Sequence, residues 1–278
     1  MDLSIIIVSW QVKEKLRNNL KAIFASKVSF SLEVFVVDNN SDDGSAEMVE
    51  KEFPQVNLIK NNDNLGFAKA NNQAIKETKG DFILLLNPDM KVKDDTLGQA
   101  LKWARNNPQA TVSGFKLVNQ DGKIVKQVRK FPCLFDQLMI VLKIPHLYPG
   151  ILDSYLMPDF NYEQEAKVDS IRGAFFLINR ENYKKISAGK DPLLDERYFL
   201  WFEEVDFCRD VYRLGGEVFY SPVAECIDYV GSSFSQVKRG KTQQYFCDSM
   251  LKYFVKWEAK SDYYILKLAW RAVIVFFK

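Results

Sequence analysis

Phe82-Ile83-Leu84-Leu85-Leu86 is an unbroken apolar run, preceded by Gly80-Asp81 and stopped by Asn87-Pro88-Asp89. A short continuous apolar run between turn signals is the pattern of a strand buried on both faces. Proline has no N–H to give to a ladder, so the strand must end at Pro88. Asp89 then stands at the carboxyl end of a central strand, the edge at which open α/β sheets bind ligands. Two readings stay open on this segment alone. One is an acid that holds a divalent metal against a phosphate; the other is a turn whose Asp caps a helix over 94–106.

The surrounding segments repeat the pattern. Leu3–Val8 and Leu32–Val37 are strand-like, 13–25 and 43–53 are helix-like, and Val56–Lys60 precedes a helical stretch from Gly66 to Thr78. Strands separated by helices of this length predict a parallel sheet with helices on both faces, wound doubly by the crossover rule. Past residue 110 the alternation stops. Val112–Val118 and Lys123–Val128 flank Asn119-Gln120-Asp121-Gly122 as a hairpin with an Asp-Gly turn. Residues 131–165, with four prolines, are expected to form a long mobile loop or flap. Ile171–Ile178 is again a strand, 202–214 a helix, and Val218–Tyr220 and Cys226–Tyr229 are closing strands. No internal repeat is present.

With 278 residues the chain can build one large domain with an appendage. Cys133, Cys208, Cys226 and Cys247 show no paired spacing, which fits reduced thiols of a cytosolic protein. The amino terminus lacks the basic region of a signal peptide. The net charge of +2 is uneven: from Lys238 onward nine basic residues face three acids, an excess of six, leaving the body at −4. That body does not suit nucleic acid. Tyr263 to Phe277 is apolar apart from Lys267 and Arg271. At roughly fifteen residues it is short for a span, and it fits an amphipathic helix on an anionic membrane surface. The alternative is a helix packed on the body or on a second copy in a homodimer.

The familiar phosphate loops are missing, and the lone His146 in an irregular stretch makes a histidine-based triad or metal site improbable. What remains is acidic and amide-rich. Polar loops at 38–45, 61–66 and 87–89 leave strands at one edge of one sheet. With 201–214 as a helix, Glu203 falls with Asp206 and Asp210 on the solvated side. Glu204 lies within about 60° of Trp201, Cys208 and Val211 on the apolar side. An acid on an apolar wall is costly unless paired or used, and its raised pKa suits a general base.

Together these segments resemble the family-2 inverting glycosyltransferases of GT-A fold, especially their rhamnosyltransferase-like branch. The matching stretches are Ser4-Ile5-Ile6-Ile7-Val8-Ser9-Trp10, Val36-Val37-Asp38 through Gly44-Ser45, and Asn64-Leu65-Gly66-Phe67-Ala68. Gly80-Asp81 through Asn87-Pro88-Asp89, Gly173-Ala174, and Asp195-Glu196-Arg197-Tyr198-Phe199 through Glu203-Glu204-Val205-Asp206 complete the set. The resemblance implies a Rossmann-like, mostly parallel sheet flanked by helices. The catalytic domain would be 1–237, with a nucleotide-sugar half to about 110 and a smaller acceptor half to 237, and 238–278 would be a basic amphipathic helical tail.

The resemblance also implies roles. Val8, Ser9, Asp38, Asn40, Asn64, Gly66, Asn71 and Asn87 would bind a dTDP- or UDP-sugar. Asp89 would hold Mg²⁺ or Mn²⁺, and Asp228 stands where the family often has a metal-binding histidine. Glu204, with Glu203 beside it, occupies the catalytic acid-pair position and would deprotonate the acceptor hydroxyl. Gly173, Ala174, Trp201 and Asp206 would lie on the acceptor side. The pair is usually Glu-Asp, so a Glu-Glu pair moves the base by one methylene, which bears on in-line attack. The implied protein is a metal-dependent enzyme at the inner face of the cell membrane, moving a sugar such as rhamnose onto a saccharide or lipid-linked acceptor. A nucleotide-sugar-binding scaffold subunit is the alternative. Sugar nucleotidyl transfer is disfavoured, because Ser9-Trp10-Gln11-Val12-Lys13 offers no glycine for a phosphate loop.

Overall fold

A computed structural model describes residues 1–229 and 239–276. The chain begins with β1 (Leu3–Ser9), α1 (Lys13–Ala25), β2 (Leu32–Asp38), α2 (Ser45–Glu52), β3 (Asn57–Lys60), α3 (Phe67–Ile75), β4 (Phe82–Leu86), β5 (Met90–Val92) and α4 (Thr96–Asn106). There follow β6 (Ala110–Val118), β7 (Val128–Arg129), α5 (Leu134–Val141), α6 (Asp153–Leu156), β8 (Ala166–Lys167), β9 (Ser170–Ile171), β10 (Phe175–Asn179) and α7 (Arg180–Ile186). The chain ends in α8 (Glu203–Arg213), β11 (Glu217–Asp228), α9 (Arg239–Trp257) and α10 (Lys260–Phe276).

Among the described residues one sheet has nine strands, in the order β3-β2-β1-β4-β10-β6-β11-β5, with β8 on the side of β11. β1, β2, β3 and β4 pair in parallel, and β6 pairs in parallel with β11. β10 runs antiparallel between β4 and β6, which restores one common direction to six strands. The fold is mixed α/β with a mostly parallel central sheet. Alternation along β1 shows why both faces are covered. Ile5 and Ile7 join Leu16, Leu20 and Ile23 of α1, whereas Ile6 joins Ala68, Ala70 and Ala74 of α3.

Four expectations needed correction. The 112–128 hairpin is reduced to a single bridge, Val118 to Ile124; Val128 and Arg129 pair instead with Ile171 and Ser170. The 131–165 segment is no open flap. It folds into α5, two 3-10 turns at Ile144–His146 and Pro149–Leu152, and α6. Leu134, Leu138 and Val141 of α5 pack on α9 and α10, and this burial supplies what local periodicity did not signal. The 171–178 strand is interrupted at 172–174, where Arg172-Gly173-Ala174 turns into the site. The two closing strands are one, β11, with an irregular register between Ser221 and Glu225.

α9, in the segment expected to be a basic helical tail, packs on the body. Met250, Tyr253 and Phe254 are fully buried in a third core with Tyr198 and Phe202. α10 lies on α9 and α5 through Leu266 and Val273, so its inner face packs on the body. Its outer face leaves Tyr264, Ile265 and Leu268 exposed. No helix among the described residues is long and apolar enough to cross a membrane. Lys238 and Lys278 of the basic excess, and Phe277 at the end of the apolar stretch, lie outside the described residues.

Candidate active site

Because β1, β2, β3 and β4 are parallel, their carboxyl ends deliver the polar loops to one edge. Asp38 closes β2, only 3% exposed; its Oδ2 accepts the Ser41 N–H at 2.9 Å and turns the chain. Its Oδ1 is buried with no hydrogen-bond partner among the described residues. A dry carboxylate oxygen left unpaired is costly, and a ligand's N–H relieves that cost. Ser9 is fully buried beside it, its hydroxyl likewise without a partner, and its carbonyl accepts the Asn39 N–H at 2.9 Å. Val8 is half-buried, and Asn40 is exposed at the turn with φ of 64°.

Asn39, passed over in the sequence, knits these loops together. Its Nδ2 donates to Asn64 Oδ1 at 3.3 Å and to the Gly66 carbonyl at 3.2 Å, and its Oδ1 accepts from Asn61 Nδ2 at 2.9 Å. Asn64 Oδ1 also takes the Gly66 N–H at 3.0 Å. Gly66 has φ of 82°, and a Cβ there would stand 2.4 Å from the Phe199 carbonyl oxygen. That oxygen accepts the Phe67 N–H at 2.8 Å. Only glycine lets the 61–66 loop and the 195–202 segment approach so closely. Asn71 Nδ2 donates to the Phe67 carbonyl at 2.9 Å, leaving its buried Oδ1 unpaired.

Asn87, Asp89, Ala174 and Asp228 meet at the middle of this edge. The Asn87 N–H donates to the Ala174 carbonyl at 3.0 Å, and Asn19 of α1 donates to the Asn87 carbonyl at 2.8 Å. β5, unforeseen in the sequence, pairs Met90 with Asp228, and the Tyr229 N–H donates to the Asp89 carbonyl at 3.1 Å. The acids at 89 and 228, far apart in sequence, are thus neighbours, 6% and 3% exposed. Burial pushes the Asp228 carboxyl up, Arg172 opposes the rise, and the Asp89 charge adds to it. Arg172 Nη1 donates to Asp228 Oδ2 at 3.1 Å. Two buried carboxylates that repel one another fit a shared divalent cation. No group of three or more His, Cys, Asp or Glu ligands occurs among the described residues, so a ligand would have to complete such a shell.

Glu203 and Glu204 open α8. Trp201 and Phe202 precede them in left-handed conformation, with φ of 64° and 69°. Non-glycine residues in that region store strain, here at the turn that delivers the two acids. The helix begins at 203, two residues later than the helix-face reading assumed, and this corrects the contrast between the acids. Glu203 is buried rather than solvated, 5% exposed. Burial, then the Glu204 charge, raises the Glu203 carboxyl well above the usual range. Burial also raises Glu204, opposed by Arg129 and Arg172 and by the N–H of Gly173. A Cβ on Gly173 would pack 3.6 Å from the Glu204 Cβ. The cations favour the charge on Glu204 and the proton on Glu203, a division of roles set by environment.

Asp206 does not face an open acceptor side. It accepts from Tyr198 Oη at 3.1 Å, Lys256 Nζ at 2.6 Å and Trp257 Nε1 at 2.6 Å, tying α8 to the end of α9. Trp201 is half-buried against the same core. Arg129, Arg172, Lys256 and Trp257 were missed as site residues. Arg172 had a signal, adjoining Gly173, but Arg129 lay just past the strand expected to end at Val128, with no motif beside it.

Residues 4–186 match the family described as Glycosyl transferase family 2. Rhamnosyltransferase WbbL of Escherichia coli K12 is 25% identical over 234 residues, 81% of this chain and 82% of that protein. An N-acetylglucosaminyl-diphospho-decaprenol L-rhamnosyltransferase of Mycobacterium tuberculosis H37Rv is 25% identical over 211 residues, 72% of this chain and 67% of that protein. Among solved structures, a mannosyltransferase of Pyrobaculum calidifontis in complex with GDP-Man and Mn²⁺ superposes with a TM-score of 0.58. That match covers 98% of this chain and 69% of the other, at 16% identity. The fold is that of the GT-A enzymes, and the chain belongs to glycosyl transferase family 2 as a glycosyltransferase.

Proposed function

We propose that this glycosyltransferase moves a sugar, rhamnose in the first instance, from a dTDP- or UDP-sugar to a saccharide or lipid-linked acceptor with inversion. One observation carries the reading. Glu204, its Oε2 buried and unpaired among the described residues, stands beside Gly173 at the same edge as Asp89, Asp228 and the donor loops. A uracil or thymine ring presents an imide N–H that the orphaned Asp38 Oδ1 can accept, with Val8 against the ring. Asn64, Asn71 and Asn87 line the path from base to diphosphate. Glu204 takes the proton from the attacking hydroxyl, and Glu203, holding its own proton, stays neutral beside it. Asp89 and Asp228 would hold Mg²⁺ or Mn²⁺, whose charge balances the leaving diphosphate when bound. Support for a metal also comes from the Mn²⁺ in the complex of the Pyrobaculum enzyme. Asp228→Ala and Asp89→Ala should each weaken Mn²⁺ binding at least tenfold in the presence of nucleoside diphosphate, read by calorimetry. Unchanged affinity in both would remove them as ligands.

The outer face of α10 is proposed to rest on an anionic bilayer. Tyr264, Ile265 and Leu268 are exposed, with Lys260 and Arg271 exposed at either end. Aromatic, aliphatic and basic groups in this arrangement suit the interface. Ile265→Glu combined with Leu268→Glu should abolish co-flotation with phosphatidylglycerol vesicles and leave the melting temperature unchanged. Continued flotation would contradict the assignment.

A further inference from the structure

β7 and β9 form a two-stranded ribbon beside the main sheet, pairing Arg129 with Ser170 and Val128 with Ile171. Directly opposed residues of an antiparallel pair share a face, and alternate residues change face. Val128 and Ile171 point into the core, each 1% exposed. Arg129 therefore takes the other face, and so does Arg172, one residue beyond Ile171. The two are diagonal neighbours, about 7–8 Å apart along the ribbon and within reach of long side chains. Both guanidiniums act on the Glu204 carboxylate, and Arg129 also lies beside the buried Tyr155 hydroxyl.

The two arginines differ in what holds them. Arg172 is paired with Asp228 and is one-third exposed. Arg129 is exposed and forms no salt bridge among the described residues. Both stand on the same ribbon. The ribbon lies over β6, where the Ile171 side chain occupies the space that a Cβ on Gly114 would need. β6 is four strands from β2, the strand that carries Asp38, or about 19 Å at ordinary strand spacing. Arg172 reaches Asp228 at the edge shared with Asp89, and Arg129 is its neighbour across the ribbon. The arginine pair thus lies far from Asp38 and close to Glu204, whose Cβ stands 3.6 Å from where a Cβ on Gly173 would be.

We infer that Arg129, with Arg172 on its inner side, forms a binding site for a phosphate or diphosphate group of the acceptor, next to the hydroxyl that Glu204 deprotonates. The inference rests on the reading of Glu204 as the base. The acceptor class it names is a phosphorylated saccharide, such as one linked to a lipid through diphosphate. Paired arginines suit this ligand because the guanidinium fork matches phosphate oxygens bidentately. The bound anion also fixes the orientation of the neighbouring hydroxyl, so affinity and alignment come from one contact.

The test compares an alkyl diphosphate-linked saccharide with the alkyl glycoside of the same saccharide as acceptors, using the full chain. The wild type should prefer the diphosphate acceptor at least tenfold in kcat/KM. In Arg129→Ala that preference ratio should fall at least tenfold, with partial recovery in Arg129→Lys. Using a ratio removes any effect of Arg129 on the basicity of Glu204, which touches both acceptors equally. Calorimetry with an alkyl diphosphate alone, at saturating UDP or dTDP, provides a second readout. Binding beside the nucleotide, weakened at least tenfold in Arg129→Ala, supports the acceptor site. Competition with the nucleotide would assign the arginines to the donor diphosphate and overturn the inference. So would a wild type with no preference, or a preference that survives Arg129→Ala. A protein that binds and hydrolyses nucleotide sugars yet shows no preference sinks this inference alone; one that binds none sinks the glycosyl-transfer assignment.

Discussion

Glu204→Gln should lower the transfer rate by about 10²–10⁴-fold while the protein still binds its nucleotide-sugar donor, because the amide keeps the shape and loses the base. Glu203→Gln should do something different: stabilise the protein at neutral pH. The Glu203 carboxyl is raised by burial and by Glu204, so it ionises at higher pH folded than unfolded. The stability it contributes is complete below the unfolded value near 4.5 and is lost as pH rises through the folded value. A glutamine suffers no such loss. The variant should therefore match the wild type in Tm at pH 4 and exceed it at pH 8. Melting curves at the two pH values check this. A Glu203→Gln protein less stable than wild type at pH 8 would mean that the proton does not reside there. A Glu204→Gln enzyme with ordinary turnover would mean that the base is elsewhere.

Asp206→Ala should be the most destabilising single change in the α8 segment. It removes the shared acceptor of Tyr198, Lys256 and Trp257, leaving the indole N–H facing a cavity and Lys256 with only the longer contact to Asp195 Oδ2 at 3.4 Å. Breaking a buried pair from one side costs about 3–5 kcal/mol, and the partial exposure of Lys256 places the loss near the lower end. That corresponds to a Tm lower by roughly 10 °C. Lys256→Met should cost less, since Asp206 keeps two donors and Lys256 is replaced by a side chain of similar length. Because the same carboxylate ties α8 to α9, the melt of wild type and variants should remain a single transition. Separate melting of 239–276 would show that the C-terminal helices are not part of the catalytic unit.

The first 110 residues were legible because their constraints are local. Apolar runs ended by polar turns, as at Leu86-Asn87-Pro88, declare central strands and the edge they point to. The placement of Asp38 and Asp89 followed from that alone. The rest of the chain was opaque because its organisation is long-range. Val128-Arg129 joins Ser170-Ile171 rather than the nearer strand, and α5 owes its form to a core it shares with α9 and α10. No periodicity within either segment announces such partners. The helix-face comparison singled out Glu204 but misplaced Glu203. Left-handed Trp201 and Phe202 start α8 later than an uninterrupted helix would and turn both acids inward. Positive φ at bulky residues has no sequence signature, and it tends to occur where function offsets its cost. Asp206 looked like an acceptor-side acid, because Lys256 and Trp257, fifty residues on, were not visible as its partners.

The most direct measurement is the anomeric configuration of the bond that the enzyme forms, read by proton NMR of the product made from the nucleotide sugar that a donor panel identifies. A single displacement driven by Glu204 predicts a product whose anomeric configuration is opposite to that of the donor. A product that retains the donor configuration, or no turnover with any nucleotide sugar, would contradict the mechanism assigned to this site.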